Sequence, residues 1–165
     1  CPDFRGVIPA ITTPFTADLA LDQAGLTKLV NCVIGDGVHG VLVNGCTGES
    51  WALSKPERET LFRTAVAAAA GRVPVVGGCS AITSAEVIEK IGQAAGAGCS
   101  YAMVSPPWYV MPGPNEIAGF YAEVLKNTAL PILLYNIPRR TGIQLPVDLI
   151  DRLADHPMVA GVKEC

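Results

Sequence analysis

The chain has 165 residues, half of them apolar and 16% charged, with 12 Lys and Arg against 15 Asp and Glu for a net charge of −3. That is one domain's length with ample apolar material for a core, and so little charge argues against intrinsic disorder. The mildly acidic balance without a Lys/Arg cluster argues against nucleic acid and anionic membrane as partners, and no apolar run reaches the roughly 18–20 residues of a membrane span.

Short apolar runs alternate with helical patterns along the sequence. The first run, 6–12 (GVIPAIT), reads as a strand. Asp22 then caps a helix whose Leu26, Leu29, Val30, Val33 and Ile34 keep the 3.6-residue period. A second run, 40–44 (GVLVN), precedes a capping box of Ser54 and Glu57, ahead of Leu61, Phe62, Ala65 and Val66. The third, 73–77 (VPVVG), leads to a second such box, Thr83 and Glu86, before Val87, Ile88 and Ile91. After the fourth run, 101–105 (YAMVS), Asn115 is the expected cap of a helix through Phe120, Tyr121, Val124 and Leu125. The fifth, 131–135 (PILLY), is followed by Pro146 in the first turn of a helix ending near Asp155. The sixth run is 159–163 (VAGVK).

Continuous apolar character, rather than alternation, is what parallel strands covered on both faces show. Six strands interleaved with five helices predict an α/β fold with a parallel sheet. A doubly wound open sheet and a closed (β/α)8 TIM barrel both accommodate that order, and the near-equal spacing of about 30 residues favours the barrel. Such a barrel takes about 250 residues. Residues 1–165 are therefore expected to form a single (β/α)8-barrel domain, truncated after its sixth strand.

The six cysteines make no C-x-x-C pair, and neither His39 nor His156 stands at metal-ligand spacing from one. Apart from Cys46, they are expected to be small buried hydrophobes of a reduced, cytosolic protein.

In barrels and open parallel sheets alike, chemistry sits at the carboxyl ends of the strands. Lys163 directly follows the apolar Val-Ala-Gly-Val. There it is either a snorkelling lysine paired with a carboxylate or an amine whose ammonium form is disfavoured by desolvation, as a nucleophile toward carbonyls requires. Tyr135 ends the fifth run and is either a core hydrogen bonder or a general acid and base. The 44–50 turn (NGCTGES) carries Gly45 and Gly48 around Cys46 and Thr47, and its successive N–H groups suit a carboxylate. It is not a Walker loop, because no Lys-Ser/Thr follows. Arg140 offers a fork for a second carboxylate or is simply solvated.

Together these pieces resemble the pyruvate-dependent class I aldolase family that includes dihydrodipicolinate synthase and N-acetylneuraminate lyase. The family's G-T-T-G-E turn is matched by Gly45-Cys46-Thr47-Gly48-Glu49. Its Y-N-[VI]-P-x-R-T-G motif is complete from Tyr135 to Gly142, and its G-[IV]-K-[DE] setting is Gly161 to Glu164. Pro107-Trp108-Tyr109 matches its P-Y-Y segment. The resemblance implies that Lys163 forms a Schiff base with pyruvate and that Tyr135 shuttles protons at the imine. Thr47 and the amides at Gly45 would hold the pyruvate carboxylate. Tyr109 would belong to a proton relay reaching in from a neighbouring subunit. Cys46 stands at the relay position where the synthases carry threonine, and a thiol is a weaker donor and acceptor than a hydroxyl. Arg140 points toward the synthase members, where an arginine at this place binds the carboxylate of aspartate semialdehyde. The resemblance further implies no metal or organic cofactor, a 2-keto acid and an aldehyde as substrates, a homo-oligomer built as a dimer of dimers, and a cytoplasmic protein. Other aldolases or dehydratases of the family, or a non-catalytic member, are the alternatives.

Overall fold

The computed structural model describes residues 5–165. Eleven elements follow in order among them: α1 (Gln23–Gly35), β1 (Val41–Val43), α2 (Lys55–Ala69), β2 (Val75–Gly78), α3 (Ser84–Ala97), β3 (Tyr101–Val104), α4 (Pro114–Asn127), β4 (Ile132–Asn136), α5 (Pro138–Thr141), α6 (Val147–Ala154) and β5 (Val159–Glu164). Five parallel strands thus alternate with helices, the α/β arrangement that the sequence predicts. Residues 5–78 with Gln93–Tyr101 form one compact unit, and Cys79–Gly92 with Ala102–Cys165 form a second.

In the first unit β1 pairs with β2 in parallel, Val41 with Val75 through Val43 with Gly77. Both strands are buried throughout, so neither needs a polar face. The run predicted as a first strand lies beside β1 but amounts to one bridge, Ala10 with Leu42. Leu42 donates to the Pro9 carbonyl at 2.9 Å and Ile11 donates to the Leu42 carbonyl at 3.0 Å. Pro9 has no N–H to continue the ladder toward Gly40, which is why the pairing stops there. Helix α1 begins where the Asp22 carboxylate accepts the Gly25 N–H at 2.8 Å, and it buries Leu26 and Val30. Helix α2 has the expected box, Ser54 and Glu57 each bonding the other's backbone N–H, and it buries Leu61, Phe62, Ala65 and Ala69.

In the second unit β3 pairs with β4, and β4 with β5, all parallel. Helix α4 buries Ile117, Tyr121, Val124 and Leu125, and the Tyr121 hydroxyl donates to the Val104 carbonyl at 3.1 Å. Full burial pushes the ionisation of that phenol far up, so it is a neutral donor. The start of α4 corrects the expectation of an Asn115 cap. Gly113 is the N-cap, Pro114 opens the helix, and the Glu116 carboxylate accepts the Gly113 N–H at 2.7 Å. Proline's fixed φ and missing donor suit the first helical position better than an Asx cap one residue later. Pro146 is likewise the N-cap of α6 rather than its first-turn residue.

The cysteine expectation is also corrected. Of the five described cysteines only Cys79 and Cys99 are buried; Cys46 is half-buried, and Cys32 and Cys165 are exposed. Cys32 lies two residues beyond Val30, which turns it about 200° away from the buried stripe of α1. Cys1 lies outside the described residues. Among the described residues no helix is long and apolar enough to cross a membrane.

Candidate active site

The end of β4 and the end of β5 bring Tyr135 and Lys163 together. The two are direct partners in the parallel ladder, and Asn136 partners Glu164. This register depends on an irregularity upstream. Ile132 pairs with Val159 but Leu133 pairs with Gly161, so Ala160 is the extra residue of a bulge. Because side chains alternate along a strand, that one-residue shift decides which face Lys163 occupies. Its ammonium nitrogen lies 4.3 Å from the centroid of the Tyr135 ring. At that distance the ring face attracts a cation and holds the amine in place. Lys163 is half-buried rather than enclosed, because β5 is an edge strand among the described residues and its side chains are only partly covered.

On the opposite face of the same strands Asn136 closes a network that the sequence reading did not single out. Its Nδ2 donates to both carboxylate oxygens of Glu164, at 3.0 and 2.9 Å. Its Oδ1 accepts the Leu145 N–H at 3.0 Å, and its carbonyl accepts the Cys165 N–H at 3.1 Å. Asn136 is 1% exposed. One buried amide thus clamps the residue after Lys163 and the chain that leads into α6.

After β4 the chain makes the four-residue helix α5, closed by Gly142 in the left-handed region at φ 77°. Arg140 stands on α5, exposed and without an ion pair among the described residues. Thr141 fixes this turn, its one hydroxyl proton shared between the Ile137 and Ile143 carbonyls at 3.1 and 2.9 Å. Following β3, Pro106 and Pro107 are buried, Trp108 is half-buried and Tyr109 is 87% exposed. Tyr109 takes φ 72° and Met111 φ 42°, two non-glycine residues in the left-handed region within three positions. Such strain in an exposed aromatic segment is characteristic of functional and contact surfaces.

The 44–50 turn belongs to the first unit. Asn44 leaves β1 at φ 58° and its Nδ2 donates to the Gly78 carbonyl at 2.6 Å. Thr13, from the chain beside β1, donates its hydroxyl to the Gly48 carbonyl at 2.6 Å. Inside the turn Glu49 donates to the Cys46 carbonyl and Ser50 to that of Gly45. Gly45 and Gly48 are buried, Cys46 is half-buried, and Thr47 is exposed with its hydroxyl unbonded among the described residues. Gly78 has to be glycine, because a Cβ there would sit 2.0 Å from the Asn44 carbonyl oxygen. The result is a rigid loop with a hydroxyl at its tip, suited to receiving an anion.

Residues 3–165 match the family model described as the dihydrodipicolinate synthetase family. The chain belongs to this family. It is 40% identical over 159 residues to 4-hydroxy-tetrahydrodipicolinate synthase of Stenotrophomonas maltophilia, covering 96% of this chain and 54% of that protein. Among solved structures, the chloride-inhibited dihydrodipicolinate synthase of Acinetobacter baumannii complexed with pyruvate matches with a TM-score of 0.94 and 33% identity, over 97% of this chain and 55% of that one. YagE of E. coli K12, a prophage protein of the dihydrodipicolinic acid synthase family in complex with pyruvate, matches with a TM-score of 0.93 and 34% identity, over 98% and 55%. The chain spans about half the length of the curated relatives it matches. Its alternating strands and helices are accordingly those of the dihydrodipicolinate synthetase family's TIM barrel, over about half of that fold.

Proposed function

We propose that this protein is a pyruvate Schiff-base lyase of the 4-hydroxy-tetrahydrodipicolinate synthase type. The observation that carries the reading is the direct pairing of Tyr135 with Lys163, which sets an amine against a phenol at the ends of two parallel strands. The Lys163 amine adds to the keto carbon of pyruvate, and loss of water from the carbinolamine gives the iminium. Loss of a methyl proton then gives the enamine, whose carbon bonds to the carbonyl carbon of an aldehyde as the aldehyde oxygen takes up a proton and becomes a hydroxyl. Hydrolysis of the new iminium returns the lysine. Tyr135 moves the protons of the first and last steps.

Thr47 and the backbone at Gly45 receive the pyruvate carboxylate, and fixed donors count most where water is excluded. Arg140 takes the carboxylate of the aldehyde partner, aspartate semialdehyde, which favours a synthase of lysine biosynthesis. Tyr109, exposed within one chain, serves the proton relay across a homo-oligomer built as a dimer of dimers. Cys46 occupies the relay position, and its thiol favours a second reading, a 2-keto acid aldolase or dehydratase with a different acceptor. No metal or organic cofactor takes part, and the working compartment is the cytoplasm. Residues 1–165 are read as part of a single (β/α)8-barrel domain.

Intact mass spectrometry with pyruvate, before and after borohydride reduction, tests the reading. The expected result is a single reduced pyruvate adduct mapping to Lys163 and lost in Lys163→Ala. A folded protein without that adduct overturns it.

A further inference from the structure

The side chain of Asn44 is unlike any other at the strand ends. It is 2% exposed, its backbone is in the left-handed region, and it makes one short hydrogen bond through Nδ2 to the Gly78 carbonyl. Its Oδ1 is buried and accepts from no donor among the described residues. A buried amide oxygen without a donor is costly, and native chains keep such groups only where something satisfies or uses them. Asn44 also immediately precedes Gly45, Cys46 and Thr47, so whatever fixes its position fixes where the turn begins.

We propose that Asn44 is a positioning residue for the Gly45–Gly48 turn and thereby for capture of the keto acid's carboxylate. The ligand half of this inference rests on the function proposed above. The Nδ2–H of Asn44 ties the turn to the last residue of β2, while Thr13 ties its far end through the Gly48 carbonyl. The turn is therefore held at both ends by side chains rather than by ladder hydrogen bonds.

Asparagine is also the side chain best suited to φ 58° after glycine. Three variants separate the amide from the backbone. Asn44→Gly keeps the left-handed conformation and removes the amide. Asn44→Asp keeps an acceptor and loses the Nδ2 donor, setting a carboxylate against the Gly78 carbonyl. Asn44→Ala removes the amide and adds backbone strain.

Two readouts apply to each variant of the 165-residue protein. Amide hydrogen exchange is followed for the Glu49 and Ser50 N–H groups, which close the turn, against the amides of α1. The expected result is about tenfold faster exchange in the turn for Asn44→Gly and Asn44→Asp, with α1 unchanged. Borohydride trapping is followed as a function of pyruvate concentration. Its half-saturation is expected to rise about tenfold while the maximal trapping rate stays near that of the unsubstituted protein. Unchanged protection in Asn44→Gly, or unchanged half-saturation in a protein that does trap pyruvate, overturns the proposal. An unsubstituted protein that traps no pyruvate sinks the keto-acid reading instead, and the exchange readout then decides the role of Asn44 alone.

Discussion

Replacing Asn136 by alanine tests the network behind Lys163. The substitution removes the acceptor of the Leu145 N–H, and Leu145 is itself 1% exposed, so that donor is left buried and unpaired at a cost of about 1–3 kcal/mol. It also removes two hydrogen bonds to the Glu164 carboxylate. Bonds to charged groups contribute about 1.5–3 kcal/mol, but Glu164 is exposed and water recovers much of that. The expected loss is about 2–4 kcal/mol, which for a urea slope near 2 kcal/mol per molar moves the unfolding midpoint down by about 1–2 M. Asn136→Asp is the control. It keeps the acceptor for Leu145 but sets two carboxylates face to face, which raises the folded-state pKa of the pair above its unfolded value. Its stability is therefore retained at low pH and lost as the pH rises through that raised pKa, so its deficit shrinks between pH 7 and about pH 4. A midpoint for Asn136→Ala within about 0.3 M of the unsubstituted protein would refute the reasoning, as would a deficit for Asn136→Asp that ignores pH.

Four further substitutions probe other parts of the molecule. Gly78→Ala forces a Cβ to within 2.0 Å of the Asn44 carbonyl oxygen, so the melting temperature is expected to fall steeply, beyond the ~1–3 kcal/mol of ordinary overpacking. Burial pushes the Cys99 thiol up to about 12, so its contribution is intact below pH 9 and is lost as the pH rises from 9 to 12. The total at stake is about 4 kcal/mol, and denaturation curves at pH 8 and pH 11 should show Cys99→Ala losing less stability than the parent over that interval. Arg58 is buried on α2 with its Nε donating to Gln93 Oε1 at 2.8 Å, while Gln93 Nε2 is buried without an acceptor among the described residues. Gln93→Met is expected to destabilise by about 1.5–3 kcal/mol, and the double change with Arg58→Met to recover most of it, as read from a double-mutant cycle in urea.

Most of the fold was legible because it rests on local rules. Fully buried parallel strands show as unbroken apolar runs, and the Asp22 cap and the Ser54–Glu57 box write their own helix starts. What escaped depends on donors and on register. The run at 6–12 is apolar enough for a strand, but Pro9 removes the one N–H that a second bridge requires. Pro114 shifts the start of α4 ahead of Asn115 for the complementary reason, since the first helical residue has no use for that N–H. At the candidate site the chemistry-bearing types were readable at Lys163, Tyr135 and Thr47. The asparagines beside them were not. Asn44 and Asn136 look like any polar residue after an apolar run; strand pairing brings Gly78 and Glu164 to them, and the return of the chain after α5 brings Leu145.

Register also decides whether the pair at the centre of the candidate site exists. Tyr135 faces Lys163 only because Ala160 is looped out, so that Leu133 meets Gly161. Asn136 and Glu164 hold the far end of the ladder, which leaves the shift trapped between the bulge and that clamp. A glycine inserted between Val162 and Lys163 would add one residue inside the clamped stretch. With the upstream pairs kept, Lys163 moves to the face now occupied by Glu164, and the inserted glycine takes its place beside Tyr135. The variant is expected to keep its helical circular dichroism, since α4 and α6 are untouched, while pyruvate trapping at position 163 falls about a hundredfold or more. Removing Ala160 is the counter-test. It takes out the looped residue and leaves each observed pair from Gly161 to Glu164 in place, so trapping should survive. If the insertion traps pyruvate as fast as the parent, the amine does not depend on its strand register, and the pairing with Tyr135 is incidental to the chemistry.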